Sequence, residues 1–110
     1  MKNALDRDFL TAVIKNGHKY GHFPLSLTLH PLQNAQIGPR FAFIVGRKAL
    51  RRAVDRNRLR RRVRAVVTQE FYRLKRGQGG AFFLGAPLLN YSYPELKASI
   101  LSLLREAGIL

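Results

Sequence analysis

Along the chain, apolar positions change period several times, and each period predicts an element. Phe9, Ala12 and Val13 fall at i, i+3 and i+4, the single apolar face of a short helix over residues 6–16. Asp6 suits its N-cap, Asp8 its positive first turn, and Asn16-Gly17 its end. Residues 17–22 (GHKYGH) read as a loop. Leu25, Leu27 and Leu29 then alternate with Ser26, Thr28 and His30, which predicts a half-buried strand with one polar face, stopped by Pro31. A polar connection with Asn34, Gly38 and Pro39 leads to Phe41–Val45. That run is apolar on both sides and reads as a central strand, hairpin-paired with the first.

From about Ala53 the period becomes helical. Leu59, Val63, Val66, Val67, Phe71 and Leu74 span an arc of about 140° on a helical wheel. Arg58, Arg61 and Arg62 lie opposite. Arg56 and Arg60 fall inside the apolar arc, in the first two turns. Residues 77–80 (GQGG) read as the helix end and a flexible loop. Ala81–Gly85 reads as a third buried strand. Strand, helix, strand over 41–85 predicts a βαβ crossover with parallel strands, right-handed by chirality alone. Ser92-Tyr93-Pro94-Glu95 is a capping-box pattern. The helix it opens carries Leu96, Ile100, Leu103, Leu104 and Ala107 on one face and ends at Gly108. At 110 residues the chain suits one domain, 1–110, of α+β class.

Charge changes this picture at one place. The protein carries +14, and residues 47–64 (RKALRRAVDRNRLRRRVR) hold half of its Lys and Arg against a single acid, Asp55. Solvated helical faces mix signs to limit self-repulsion; here Arg58, Arg60, Arg61, Arg62 and Arg64 have no acid between them. Arginine outnumbers lysine nine to one in the stretch, and its planar fork suits phosphates and bases. A polyanionic partner is implied, nucleic acid before an acidic membrane surface. A merely solubilising basic face is the plainer alternative, but the charge exceeds what solubility needs.

Catalytic chemistry is hard to place. Asp6 and Asp8 are two apart on a helix and cannot face each other. His18 and His22 have helical ligand spacing but lie among loop glycines, and a metal site with His30 is the weaker reading. GQGG lacks the Lys-Ser/Thr of a phosphate loop. There is no cysteine, so thiol catalysis, disulfides and Cys-based zinc sites are excluded. No export signal or membrane span is visible, and a cytoplasmic location is expected. A second surface is conceivable. Ser26, Thr28, His30, Phe9, Tyr20 and Phe23 border a groove suited to single-stranded nucleic acid, or are ordinary core and boundary residues.

At GPRFAFIVGRKALRRAVDRNRLRRRVR the sequence resembles the bacterial ribonuclease P protein component. The resemblance rests on the strand, the pair Arg47-Lys48, Ala53-Val54, Arg56-Asn57-Arg58, Arg60-Arg61 and Arg64, without a gap. Weaker likeness covers nearly the whole chain. It implies an α-β-β-α-β-α sandwich whose crossover through the basic helix is left-handed. It implies contact with the catalytic RNA of ribonuclease P through Arg47, Lys48, Arg51, Arg52, Arg56, Asn57, Arg58, Arg60, Arg61 and Arg64. It implies a cleft for the 5′ leader of precursor tRNA at Phe9, Thr28 and His30. It further implies hydrolysis by the RNA with Mg2+ held mainly there, no catalytic residue in the polypeptide, and a monomer, one per RNA, away from membranes. The family often has aromatics where Val13 or Ile14 and Thr28 stand here, a glycine at Ala42, and a basic residue within Leu84-Gly85-Ala86-Pro87. Two other readings compete, a structural RNA-binding protein such as a small ribosomal protein, and a DNA-binding regulator.

Overall fold

The computed structural model describes residues 7–110. The elements are α1 (Arg7–Asn16), β1 (His18–His22), β2 (Leu25–Pro31), β3 (Arg40–Ile44), α2 (Ala53–Gln69), β4 (Gln78–Leu84) and α3 (Tyr93–Glu106). Short 3-10 turns at Phe71–Arg73 and Ala86–Asn90 follow α2 and β4. The α+β single-domain architecture expected from the sequence is present, with one strand more. The cap expected at Asp6 lies outside the described residues.

The four strands form one mixed sheet in the order β1-β2-β4-β3. β4 runs antiparallel to β2 and parallel to β3, as a crossover through α2 requires. Two expectations are overturned here. β2 and β3 are not a hairpin, because β4 lies between them, and β3 is an edge strand, not a central one. The cause is in β4. Gly79, Gly80, Ala81 and Phe82 are all buried, so β4 takes the covered centre, while β3 opens with exposed Arg40. Residues 17–22, read as a loop, contain β1, which pairs with β2 from His18↔Leu29 to His22↔Leu25. GQGG is not a flexible loop either, because Gln78, Gly79 and Gly80 belong to β4.

The pleat sorts the sheet into two faces. Leu25, Leu27, Leu29, Phe41, Phe43, Phe82 and Leu84 point to the side covered by α2 and α3, where they join Leu59, Val63, Val66, Leu96, Ile100 and Leu104 in one core. Phe82 is fully buried, edge-on to Phe41 at 5.2 Å and stacked on Phe43 at 5.4 Å between centroids. Ser26, Thr28, Ala42, Ile44, Ala81 and Phe83 face the other way, and α1 covers only part of that face through fully buried Val13. Gly17 closes α1, its N–H donating to the Val13 carbonyl at 2.8 Å. A Cβ there would collide with Thr28, so the chain can leave α1 this close to the sheet only with glycine.

The capping box of α3 is formed in full. Ser92 Oγ accepts from the Glu95 N–H at 3.2 Å, and Glu95 Oε1 accepts from the Ser92 N–H at 2.8 Å. These bonds to Ser92 hold the Glu95 carboxyl below its ordinary range, because they favour the ionised form. A depressed acid stabilises the fold above its unfolded pKa, and that help disappears as pH falls through the folded value. We expect Ser92→Ala to cost about 1 kcal/mol by denaturant titration at neutral pH. Melts of Glu95→Gln should lose the Glu95 share of the acid-limb pH dependence.

Candidate nucleic-acid interface

The basic stretch divides in two. Residues 46–52 form a loop after β3, and α2 follows. Arg52 is the N-cap and supplies no side-chain acceptor to the first turn, which leaves helix N–H groups pointing at whatever lies ahead. Cations at a helix N-terminus oppose the macrodipole, and Asp55 in the first turn offsets little of that. Its contact with Arg52 is 3.9 Å long and largely solvated. An anion at this tip would relieve both the open N–H groups and the crowded charge.

The arginines are not equivalent. Arg56 is half-buried, and its Nη1 donates to the carbonyls of Leu50 at 2.7 Å and Arg51 at 2.8 Å, tying the loop to the helix. Arg60 Nε donates to the Phe43 carbonyl at 3.2 Å, and its Nη1 to Asn57 Oδ1 at 2.9 Å. Arg62 clamps the carbonyls of Leu89 at 3.1 Å and Tyr91 at 2.6 Å on the way to α3. Arg64 lies over the Phe43 ring, its guanidinium carbon 5.5 Å from the centroid, a cation–π contact. Arg47, Lys48, Arg51, Arg52, Asn57, Arg58 and Arg61 are exposed. Of the ten residues singled out in the sequence, those seven and Arg64 are exposed, while half-buried Arg56 and Arg60 brace the loop and the edge strand β3 and Arg64 braces β3 from the surface.

The open face of the sheet carries a trough of about 570 Å³ lined by Lys19, Phe23, Ser26, Thr28, Ile44 and Phe83, among others. Gly46 and Ala49 complete its wall, so it ends at the loop that carries Arg47 and Lys48. Phe9 lies further along the same face in a separate recess with Asp8, Ala12, Leu32 and Arg40. Its ring is tilted against His30 at 5.7 Å and rests on the backbone of Gly79, where a Cβ would strike it. Thr28 is buried beside α1, 7% exposed, so it forms floor rather than rim. The three residues expected in one cleft therefore share a face, but Phe9 and Thr28 line separate concavities, with His30 against the Phe9 ring. Phe83, Ile44 and Lys19 escaped the sequence reading. The signal for Phe83 was present: in Ala81–Leu84, alternation puts Phe82 inward and Phe83 outward.

Among the described residues no three His, Asp or Glu side chains converge as a metal site would need. Glu70 pairs with Arg73 at 3.1 Å, Glu95 caps α3, and Glu106 accepts the Gly21 N–H at 3.0 Å. No helix of the described chain is long and apolar enough to cross a membrane.

Comparison with known proteins gives one answer. The chain is 34% identical over 107 residues to a ribonuclease P protein component of Synechococcus sp., covering 96% of this chain and 80% of that protein. It is 36% identical over 99 residues to the ribonuclease P protein component of Chloroflexus aggregans, covering 89% and 71%. The fold matches the RNase P protein of Staphylococcus aureus with a TM-score of 0.79 at 17% identity, over 96% of this chain and 94% of that one. It matches the RNase P protein of Thermotoga maritima, again at 0.79, with 21% identity over 93% and 94%. The sequence model of the family, described as Ribonuclease P, matches residues 5–108, and the chain belongs to the ribonuclease P protein family.

Proposed function

We propose that this chain is the protein subunit of a ribonuclease P that trims the 5′ leader from precursor tRNA. The observation that carries the reading is the join between trough and basic loop. Gly46 and Ala49 wall the trough and flank Arg47 and Lys48, so one strand of RNA can lie on the sheet while a structured RNA docks beside it. In this reading Arg47, Lys48, Arg51, Arg52, Asn57, Arg58 and Arg61 contact phosphates of the catalytic RNA. Arg56 and Arg60 fix the loop and helix that present them, and Arg64 does so while remaining exposed. The leader crosses the open face, where Phe83 and Phe9 offer stacking and Lys19 a phosphate contact, and Thr28 and His30 lie beneath or beside it.

Phosphodiester hydrolysis belongs to the RNA and its Mg2+. Among the described residues Glu95 caps α3, Glu70 pairs with Arg73 and Glu106 accepts a backbone N–H, and no three His, Asp or Glu side chains are grouped to hold a cation. What the polypeptide supplies is charge neutralisation and position. Close-packed RNA phosphates repel each other, and a cationic surface lowers the magnesium needed to bring leader and catalytic RNA together. Adding the protein to a ribonuclease P RNA at low magnesium should accelerate cleavage of a precursor tRNA at the mature 5′ end, more for a long leader than a short one. Unchanged cleavage, with retained binding to ribosomal RNA, would favour the structural RNA-binding reading instead.

A further inference from the structure

A third place brings rings and unpaired cations together, away from the trough and the basic tip. His18 and Tyr20 point to the α3 side of the sheet, opposite Leu29 and Leu27. Their rings lie 4.7 Å apart, tilted by 51°. They border a recess of about 360 Å³ with Lys75, Arg76, Gln78 and Gly108. No acid lines it. Arg73 nearby is neutralised by Glu70, but Lys75 and Arg76 are exposed and take part in neither of the ion pairs among the described residues. Gly108 has a φ of +76°, and a Cβ on it would meet nothing within 4 Å, so the recess opens above the end of α3. Tyr72, 96% exposed, stands just upstream. The 17 residues of α2, about 25 Å of helix, lie between this segment and the Arg52 cap.

We propose that this recess is a second RNA contact, taking one nucleotide of a single-stranded segment. The base stacks on the His18–Tyr20 pair, the phosphate sits on Lys75 and Arg76, and the Gln78 amide meets the base edge. Rings beside cations match stacking plus phosphate contact; an acidic peptide would use the cations and leave the rings idle. The contact is independent of the trough, and its test does not require ribonuclease P activity.

The test is a backbone-amide NMR titration of the full chain with uridine 5′-monophosphate, and separately with inorganic phosphate, uridine and a poly-glutamate peptide. Uridine monophosphate should move the signals of His18, Tyr20, Gln78 and Gly108 at concentrations where phosphate or uridine alone leaves them in place. Lys75→Ala with Arg76→Ala should weaken that response at least tenfold, since it removes two charge-assisted contacts and the loss of even one is worth about that factor. Arg58→Ala with Arg61→Ala should leave it unchanged. If the first pair fails to fold, His18→Ala removes an exposed ring and should weaken the response of Tyr20, Gln78 and Gly108 to the nucleotide. Signals that stay still, that move equally with phosphate, or that answer the peptide more strongly would overturn the proposal.

Discussion

Arg58→Ala combined with Arg61→Ala will weaken binding to ribonuclease P RNA at least tenfold, about 1.4 kcal/mol, and leave the melting temperature unchanged. Both side chains are exposed, and no acid is paired with them among the described residues. Their removal costs the fold nothing that RNA does not supply, and relieving like-charge crowding is mildly favourable. Each lost phosphate contact also removes released counterions, so the slope of log affinity against log salt should flatten by about 1.5 for the pair. Arg56→Ala should behave differently although it is neighbour and homologue of both. Its guanidinium donates to two loop carbonyls, and their loss should cost about 1.5–3 kcal/mol of stability. RNA binding would fall through a loosened loop, with a smaller change in salt slope than the double variant shows. Filter binding across a salt series, beside denaturant titrations, separates the two classes.

Phe82→Ala will cost about 3–5 kcal/mol, a third or more of the 5–15 kcal/mol typical of a domain. Phe82 has no exposed surface and touches Phe41 and Phe43 from the central strand. Its loss reaches the interface through β3. The Phe43 carbonyl holds Arg60 and the Phe43 ring holds Arg64, so an unsupported Phe43 also unseats the basic helix. The expected result is a large drop in denaturant midpoint, with RNA affinity reduced even below that midpoint. Phe83→Ala, one residue on but facing the trough, should keep most of the stability and lose affinity for leader-bearing substrate only.

What the sequence made legible was local. The alternation of β2, the stripe of α3 and its capping box all depend on residues within a few positions of one another; the stripe and the cap are present as expected, whereas β2, expected to be half-buried with one polar face, is buried on both, because α1 and its neighbours cover Ser26 and Thr28, each 7% exposed. β1 escaped because His18, Tyr20 and His22 are polar aromatics around Gly21, which imitates a loop. Strand order escaped because pairing is non-local: nothing in Phe41–Val45 states that β4 will lie between it and β2. The helical stripe was read through to Leu74, but α2 ends at Gln69 and a 3-10 turn carries Phe71. Leu74 still reaches the core, 5% exposed, without being helical.

The same limit applies to the site. Charge density located the interface, and charge cannot say which guanidinium is spent on a carbonyl, because carbonyls have no sequence signature. For Arg56 and Arg60 there was a clue, since both fall in the angular range of the apolar stripe and so face the sheet. For Arg62 there was none. It lies opposite the stripe, yet it is half-buried against the turn that leads to α3.

The absence of cysteine makes the central claim directly measurable. A single photo-crosslinker can be attached at Ile44→Cys, in the trough, or at Arg61→Cys, on the exposed face of α2, and the protein reconstituted with ribonuclease P RNA and a precursor tRNA. The account predicts that the Ile44 probe marks leader nucleotides and the Arg61 probe marks the catalytic RNA. Leader crosslinks from position 61 with none from position 44, or no crosslink to either RNA, would contradict it.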